Sequence, residues 1–112
     1  MPFKILFMGT PSFSVPILKS LNLSNHKILE VYTQPPKKKD RGQKISFSSV
    51  HRFSNEINIP VRYPTTLRSK VELEHIKQLK PDIVVVVAYG QIIPSEFLDL
   101  QNILFINIHA SL

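Results

Sequence analysis

Apolar residues arrive along this chain in short blocks whose spacing switches between strand and helix. Phe3 to Met8 is mostly apolar and ends at Gly9-Thr10-Pro11, the length and punctuation of a strand that feeds a helix. Phe13, Ile17, Leu18 and Leu21 then recur at helical spacing. Pro16 would break that helix at its middle and is harmless in its first turn, with Ser12 or Ser14 as the cap. His26 to Thr33 reads as a second strand, whereas Gln34 to Lys44 is polar, carries prolines and reads as a long loop. From about Ser48, the residues Val50, Phe53 and Ile57 share a helical face. Pro60-Val61-Arg62-Tyr63-Pro64 leaves room for only a short third strand. Val71, Ile76 and Leu79 predict a helix that ends before Pro81. Asp82 to Tyr89 holds four consecutive valines, apolar on both faces as a central parallel strand must be, and Gly90 ends it. A short helix or turn starts near Pro94. Ile103-Leu104-Phe105-Ile106 then reads as a buried parallel strand.

Strands alternating with helices predict an α/β parallel sheet of about five strands with flanking helices. A length of 112 residues bounds it to one domain, and a hydrophobic fraction of 43% is enough for a core. The absence of cysteine excludes disulfides, thiol catalysis and thiolate metal sites. No apolar stretch approaches the roughly 20 residues that span a bilayer. The N-terminal run reads as a strand, not a signal peptide, so the expectation is a soluble, cytoplasmic protein.

Charge changes the picture locally. The chain carries +6, of which Lys37, Lys38, Lys39, Arg41 and Lys44, against Asp40, supply a net +4 within eight residues. A phosphate-bearing partner would therefore meet one segment and not a whole face. That segment reads either as a nucleic-acid contact or as a solvated surface loop. It contains no aromatic residue, so base stacking is not indicated within it.

The candidate chemistry sits at two strand ends. Asn107 and His109 are two residues apart, just past the last apolar run. They share a face if the extended conformation continues, and open α/β sheets place ligand sites beyond the carboxyl ends of their strands. An amide that can donate to an oxyanion beside an imidazole that can carry a proton is a possible acyl-transfer pair. At the end of the valine strand, backbone groups can hydrogen-bond a flat heterocycle. His26 and His75 read as surface residues near element ends, and His51 has no ligand partner at suitable spacing. No histidine pair has metal spacing with a carboxylate nearby, so no metal is expected. Gly9-Thr10-Pro11 lacks the Gly-x-Gly-x-x-Gly and Gly-Lys-Ser/Thr patterns, which removes support for dinucleotide and P-loop readings.

Five segments, in order, resemble the methionyl-tRNA formyltransferases. They are Phe7-Met8-Gly9-Thr10-Pro11 with Phe13-Ser14-Val15-Pro16; Val31-Tyr32-Thr33-Gln34-Pro35; Arg41-Gly42-Gln43-Lys44; Val86-Val87-Ala88-Tyr89-Gly90 with Ile93-Pro94; and Asn107-Ile108-His109-Ala110-Ser111-Leu112. The resemblance implies a Rossmann-like formyltransferase fold and formyl transfer from 10-formyltetrahydrofolate to the amine of initiator methionyl-tRNA. It further implies that Asn107 stabilises an oxyanion and that His109 manages the proton. Val87, Ala88, Tyr89 and Gly90 would form part of the folate pocket. Lys37, Lys38, Lys39, Arg41 and Lys44 would reach the tRNA, with Arg41 the key arginine. It covers only the first part of such an enzyme. The expectation is thus a truncated catalytic domain without its C-terminal tRNA-binding domain, without the aspartate that partners the histidine, and with little or no turnover alone. The family is expected to be monomeric, whereas this chain, with apolar strands uncovered, is expected to fold marginally or self-associate. Ala110 departs from the family's glycine. The alternatives are a formyltransferase-fold enzyme acting on another amine, or a non-catalytic remnant with a weak RNA-binding loop.

Overall fold

The structure, a computed structural model, describes residues 1–39 and 41–109. Asp40 and the Ala110 departure lie outside the described residues. Five parallel strands form the main sheet: β1 (Lys4–Gly9), β2 (Lys27–Tyr32), β5 (Val61–Arg62), β6 (Ile83–Val87) and β7 (Leu104–Asn107). Their order is β5-β2-β1-β6-β7. The chain winds outward from β1 to β5 and returns to the other side of β1 at β6. The crevice between β1 and β6 is therefore the point where the winding reverses, the usual position of a ligand site in such sheets. The fold is the predicted Rossmann-like α/β sheet.

The helices are α1 (Val15–Leu23), α2 (Ser49–Glu56), α3 (Lys70–Leu79) and α4 (Ser95–Leu98). Alternate strand residues feed two layers. Ile5, Phe7, Val31, Val85 and Val87 pack with Leu18 of α1 and Val50 of α2. Leu6, Met8, Tyr32, Val84 and Val86 pack with Ile76 of α3 and Phe97 of α4. Val84 and Val87 are fully buried, as a central parallel strand requires.

Several expectations change. Gln34 to Lys44 is not a loop throughout. Lys37–Lys39 (β3) pairs antiparallel with Lys44–Ser46 (β4), and Gln43 turns the chain with φ 57°. The pairing carries no apolar alternation and rests on backbone bonds, so periodicity could not reveal it. The last strand, β7, is parallel to β6 but lies at the sheet edge, and Leu104, Ile106 and Ile108 are exposed along one face. Val71 faces solvent. The helix α3 is turned so that Glu72 and Ile76 face the sheet, because Glu72 has polar partners there. Neither Ser12 nor Ser14 caps α1 with its side chain; Ser14 Oγ donates to the carbonyl of Val87 instead. His75 is half-buried within α3, where Nε2 lies 2.7 Å from the Glu30 carboxylate. His26 is also half-buried and accepts the backbone N–H of Phe3.

Candidate active site

The valine strand ends abruptly because Ala88 adopts φ 51°, a left-handed conformation that L-residues avoid. The bend sends Tyr89 back into the core, 1% exposed, and leaves Ala88 and Gly90 facing solvent. Burial pushes the Tyr89 phenol well above its ordinary pKa, with the Glu72 charge adding to the effect, so it stays neutral. Gly90 follows with φ 103°. The Gln34 side chain packs so closely that a β-carbon on Gly90 would lie 2.7 Å from its Nε2. The positive φ demands glycine here, and any side chain would also have to displace the Gln34 amide.

Hydroxyls fasten this bend to the turn that follows the first strand. Thr10 Oγ1 donates to the Tyr89 carbonyl at 2.6 Å, and Ser14 Oγ donates to the Val87 carbonyl at 2.8 Å. Gln91 Nε2 donates to Gln34 Oε1 and to the Pro64 carbonyl, both at 3.0 Å. Gly9 allows the clasp, since a β-carbon there would meet the Val87 carbonyl oxygen at 2.9 Å. Of these polar connectors, Gln91 carried no sequence signal, while Thr10, Ser14 and Gln34 stand in motifs that did not show their partners. Nothing in their spacing marks residues that meet only across the sheet.

On the far side of β6 the ladder runs one residue beyond β7. The Ile108 N–H donates to the Val86 carbonyl at 2.8 Å. The chain is therefore still extended at Asn107, which pairs with Val86, and both Asn107 and His109 reach one cleft. This cleft, about 500 Å³, is also lined by Phe13, Ala88, Tyr89, Gly90, Gln91 and the apolar residues Ile92, Ile93 and Ile108. Val87 does not line it; its side chain is fully buried in the opposite layer. Phe13 and Ile93 could have been found from the motifs that contain them, whereas Ile92 carried no signal. None of the described lining residues is acidic.

The basic segment is split by its own pleat. Lys37 and Lys39 line a second, smaller cleft beside Thr10 and Gln34. Lys38, between them, pairs with Ile45 and does not line it. Arg41 is exposed at the hairpin turn, and Lys44 is exposed opposite Lys39.

The sequence pattern of the formyl transferase family matches residues 3–112. The chain belongs to the formyl transferase family. It is 59% identical over 110 residues to a methionyl-tRNA formyltransferase of Pelagibacter ubique, covering 97% of this chain and 36% of that protein. It is 50% identical over 109 residues to a methionyl-tRNA formyltransferase of Alkaliphilus oremlandii, and 48% over 109 residues to one of Clostridioides difficile, in each case covering 35% of the relative. The chain thus spans about a third of the length of these formyl transferases. No helix of the described residues is long and apolar enough to cross a membrane.

Proposed function

We propose that this chain supplies the Asn107–His109 half of a formyl transfer site, which moves the formyl group of 10-formyltetrahydrofolate to the amine of initiator methionyl-tRNA. The observation that carries the reading is the convergence of Asn107 and His109 on the cleft at the end of β6. Ala88 to Gly90 offer backbone donors and acceptors beside apolar Phe13, Ile92 and Ile93, a lining that fits a flat heterocycle with a polar edge.

In this reading the amine nitrogen attacks the formyl carbon. The carbonyl oxygen becomes an oxyanion, and the Asn107 amide donates to it. His109 takes the proton that the nitrogen loses as the new N–C bond forms. The oxyanion then re-forms the carbonyl as the bond to the folate nitrogen breaks, and that nitrogen leaves with the proton returned by His109. A preorganised donor at such an oxyanion is worth roughly 3 kcal/mol. The imidazolium formed on His109 has no carboxylate beside it among the described lining residues. Little or no turnover is therefore expected from the 112 residues alone. The exposed cations of the hairpin favour tRNA as acceptor over a sugar amine or a glycinamide ribotide.

The test is a chimera in which this chain replaces the matching third of the Pelagibacter ubique relative. Formylation of methionyl-tRNA by the chimera, lost in Asn107→Ala and His109→Ala, supports the reading. A folded chimera that does not formylate, or whose rate ignores both substitutions, overturns it. Turnover by the isolated chain near that of the full-length relative overturns the expectation of inactivity.

A further inference from the structure

The second cleft lies between the β3–β4 hairpin and the start of α2. Its described lining includes Lys37, Lys39 and Arg52, the hydroxyls of Ser46 and Ser49, and no acidic residue. Among the described residues none of these three cations forms an ion pair. Arg52 is held in place by neutral partners: Nη1 donates to the Phe47 carbonyl at 3.1 Å and Nη2 to Ser49 Oγ at 3.4 Å. A guanidinium has five N–H donors in a fixed fork, so an oriented Arg52 keeps donors for a ligand. The volume, about 190 Å³, is below the roughly 300 Å³ at which pockets enclose whole small molecules. It suits a phosphate group entering from the surface.

A second feature adjoins it. Phe47 lines the cleft and is 43% exposed. Its ring meets the His51 ring edge-on at 4.7 Å, and His51 lies 5.2 Å from the ring of Tyr63, itself 47% exposed. His51 is buried, its Nδ1 has no partner, and burial lowers its pKa, so it serves as a neutral ring between two exposed ones. The hairpin itself has no aromatic residue. The tertiary structure brings one to its base from residues that follow it.

We propose that this cleft binds one nucleotide unit of single-stranded RNA, with the phosphate held by Arg52, Lys37 and Lys39 and the unpaired base stacked on Phe47. Duplex bases have no free faces, so stacking selects an unpaired strand. The proposal rests on the tRNA reading above and deepens it by assigning a contact beyond the basic segment.

The test measures binding of a single-stranded ribotrinucleotide to the full chain at several salt concentrations, with inorganic phosphate as competitor. Arg52→Gln is expected to weaken binding about tenfold and to make the salt slope shallower by about one. Phe47→Leu is expected to weaken it about tenfold with the slope unchanged. Lys37→Gln and Lys39→Gln are expected to weaken it more than Lys38→Gln. The lysine series stands on its own should Arg52→Gln fail to fold, as judged by circular dichroism. Equal losses at all three lysines, or unchanged binding in folded Arg52→Gln and Phe47→Leu, would overturn the proposal. Trinucleotide binding that depends on Arg52, together with a chimera that does not formylate, supports the cleft and sinks the tRNA reading. Formylation together with trinucleotide binding indifferent to Arg52 does the reverse.

Discussion

The backbone N–H of Ile108 donates to the carbonyl of Val86 at 2.8 Å, one residue past the end of β7. That bond keeps Asn107 in an extended segment, and Asn107 and His109 line the same cleft. Asn107→Ala leaves the backbone bond intact and removes only the amide. In the chimera it is expected to lower kcat by about a hundredfold or more with little change in KM, because an oxyanion donor acts in the transition state. Steady-state kinetics of methionyl-tRNA formylation check this.

Gly90 combines φ 103° with a side chain packed against the place where a β-carbon would stand. Gly90→Ala is expected to cost about 2 kcal/mol, from left-handed strain and from displacing Gln34 away from Gln91. The thermal midpoint should fall by on the order of 10 °C. An unchanged midpoint by circular dichroism would show that Gln34 swings aside freely.

Glu72 is a carboxylate on the buried face of α3. Burial pushes its pKa up, but hydrogen bonds from Arg62 Nε at 2.9 Å and Tyr32 Oη at 2.6 Å outweigh that and hold it below the usual value. A carboxylate with a depressed folded pKa stabilises the fold above its unfolded pKa, and the contribution is lost as pH falls through the folded value. Stability should therefore drop as pH falls below about 4.5. Glu72→Gln should cost about 2 kcal/mol at pH 7, the half-exposed Arg62 softening the loss, and should flatten that acid limb. Denaturant titrations at a series of pH values measure both effects.

Leu104, Ile106 and Ile108 form an exposed apolar row on the edge strand, at 59%, 38% and 37% exposure. A flat hydrophobic edge templates pairing with another copy. Concentration-dependent association of the chain is expected by analytical ultracentrifugation, and Ile106→Lys should reduce it. A monomer at every concentration tested would contradict this.

Legibility followed the hydrophobic effect. The valine strand, the helix over Ser49–Glu56 and the short strand at Val61–Arg62 all announced themselves, because apolar spacing records which faces are buried. The hairpin at Lys37–Ser46 did not, because its pairing is polar and backbone-driven. Val71 misled for the complementary reason. A helix face is chosen by the total fit of its partners, and Glu72 with Arg62 and Tyr32 outweighed one valine.

The sequence by itself determined the alternation of strands and helices, the glycine punctuation and the motifs at two strand ends. These are local properties, written in neighbouring residues. Only the tertiary structure decided that Asn107 and His109 share a cleft with Ala88 and Gly90, that Thr10 and Ser14 clasp the bend, and that Arg52 and Phe47 join the lysines of the hairpin. The first two meetings join residues far apart in the chain, brought together by the crossovers of a parallel sheet; the third forms where the hairpin lies against the start of the helix that follows it.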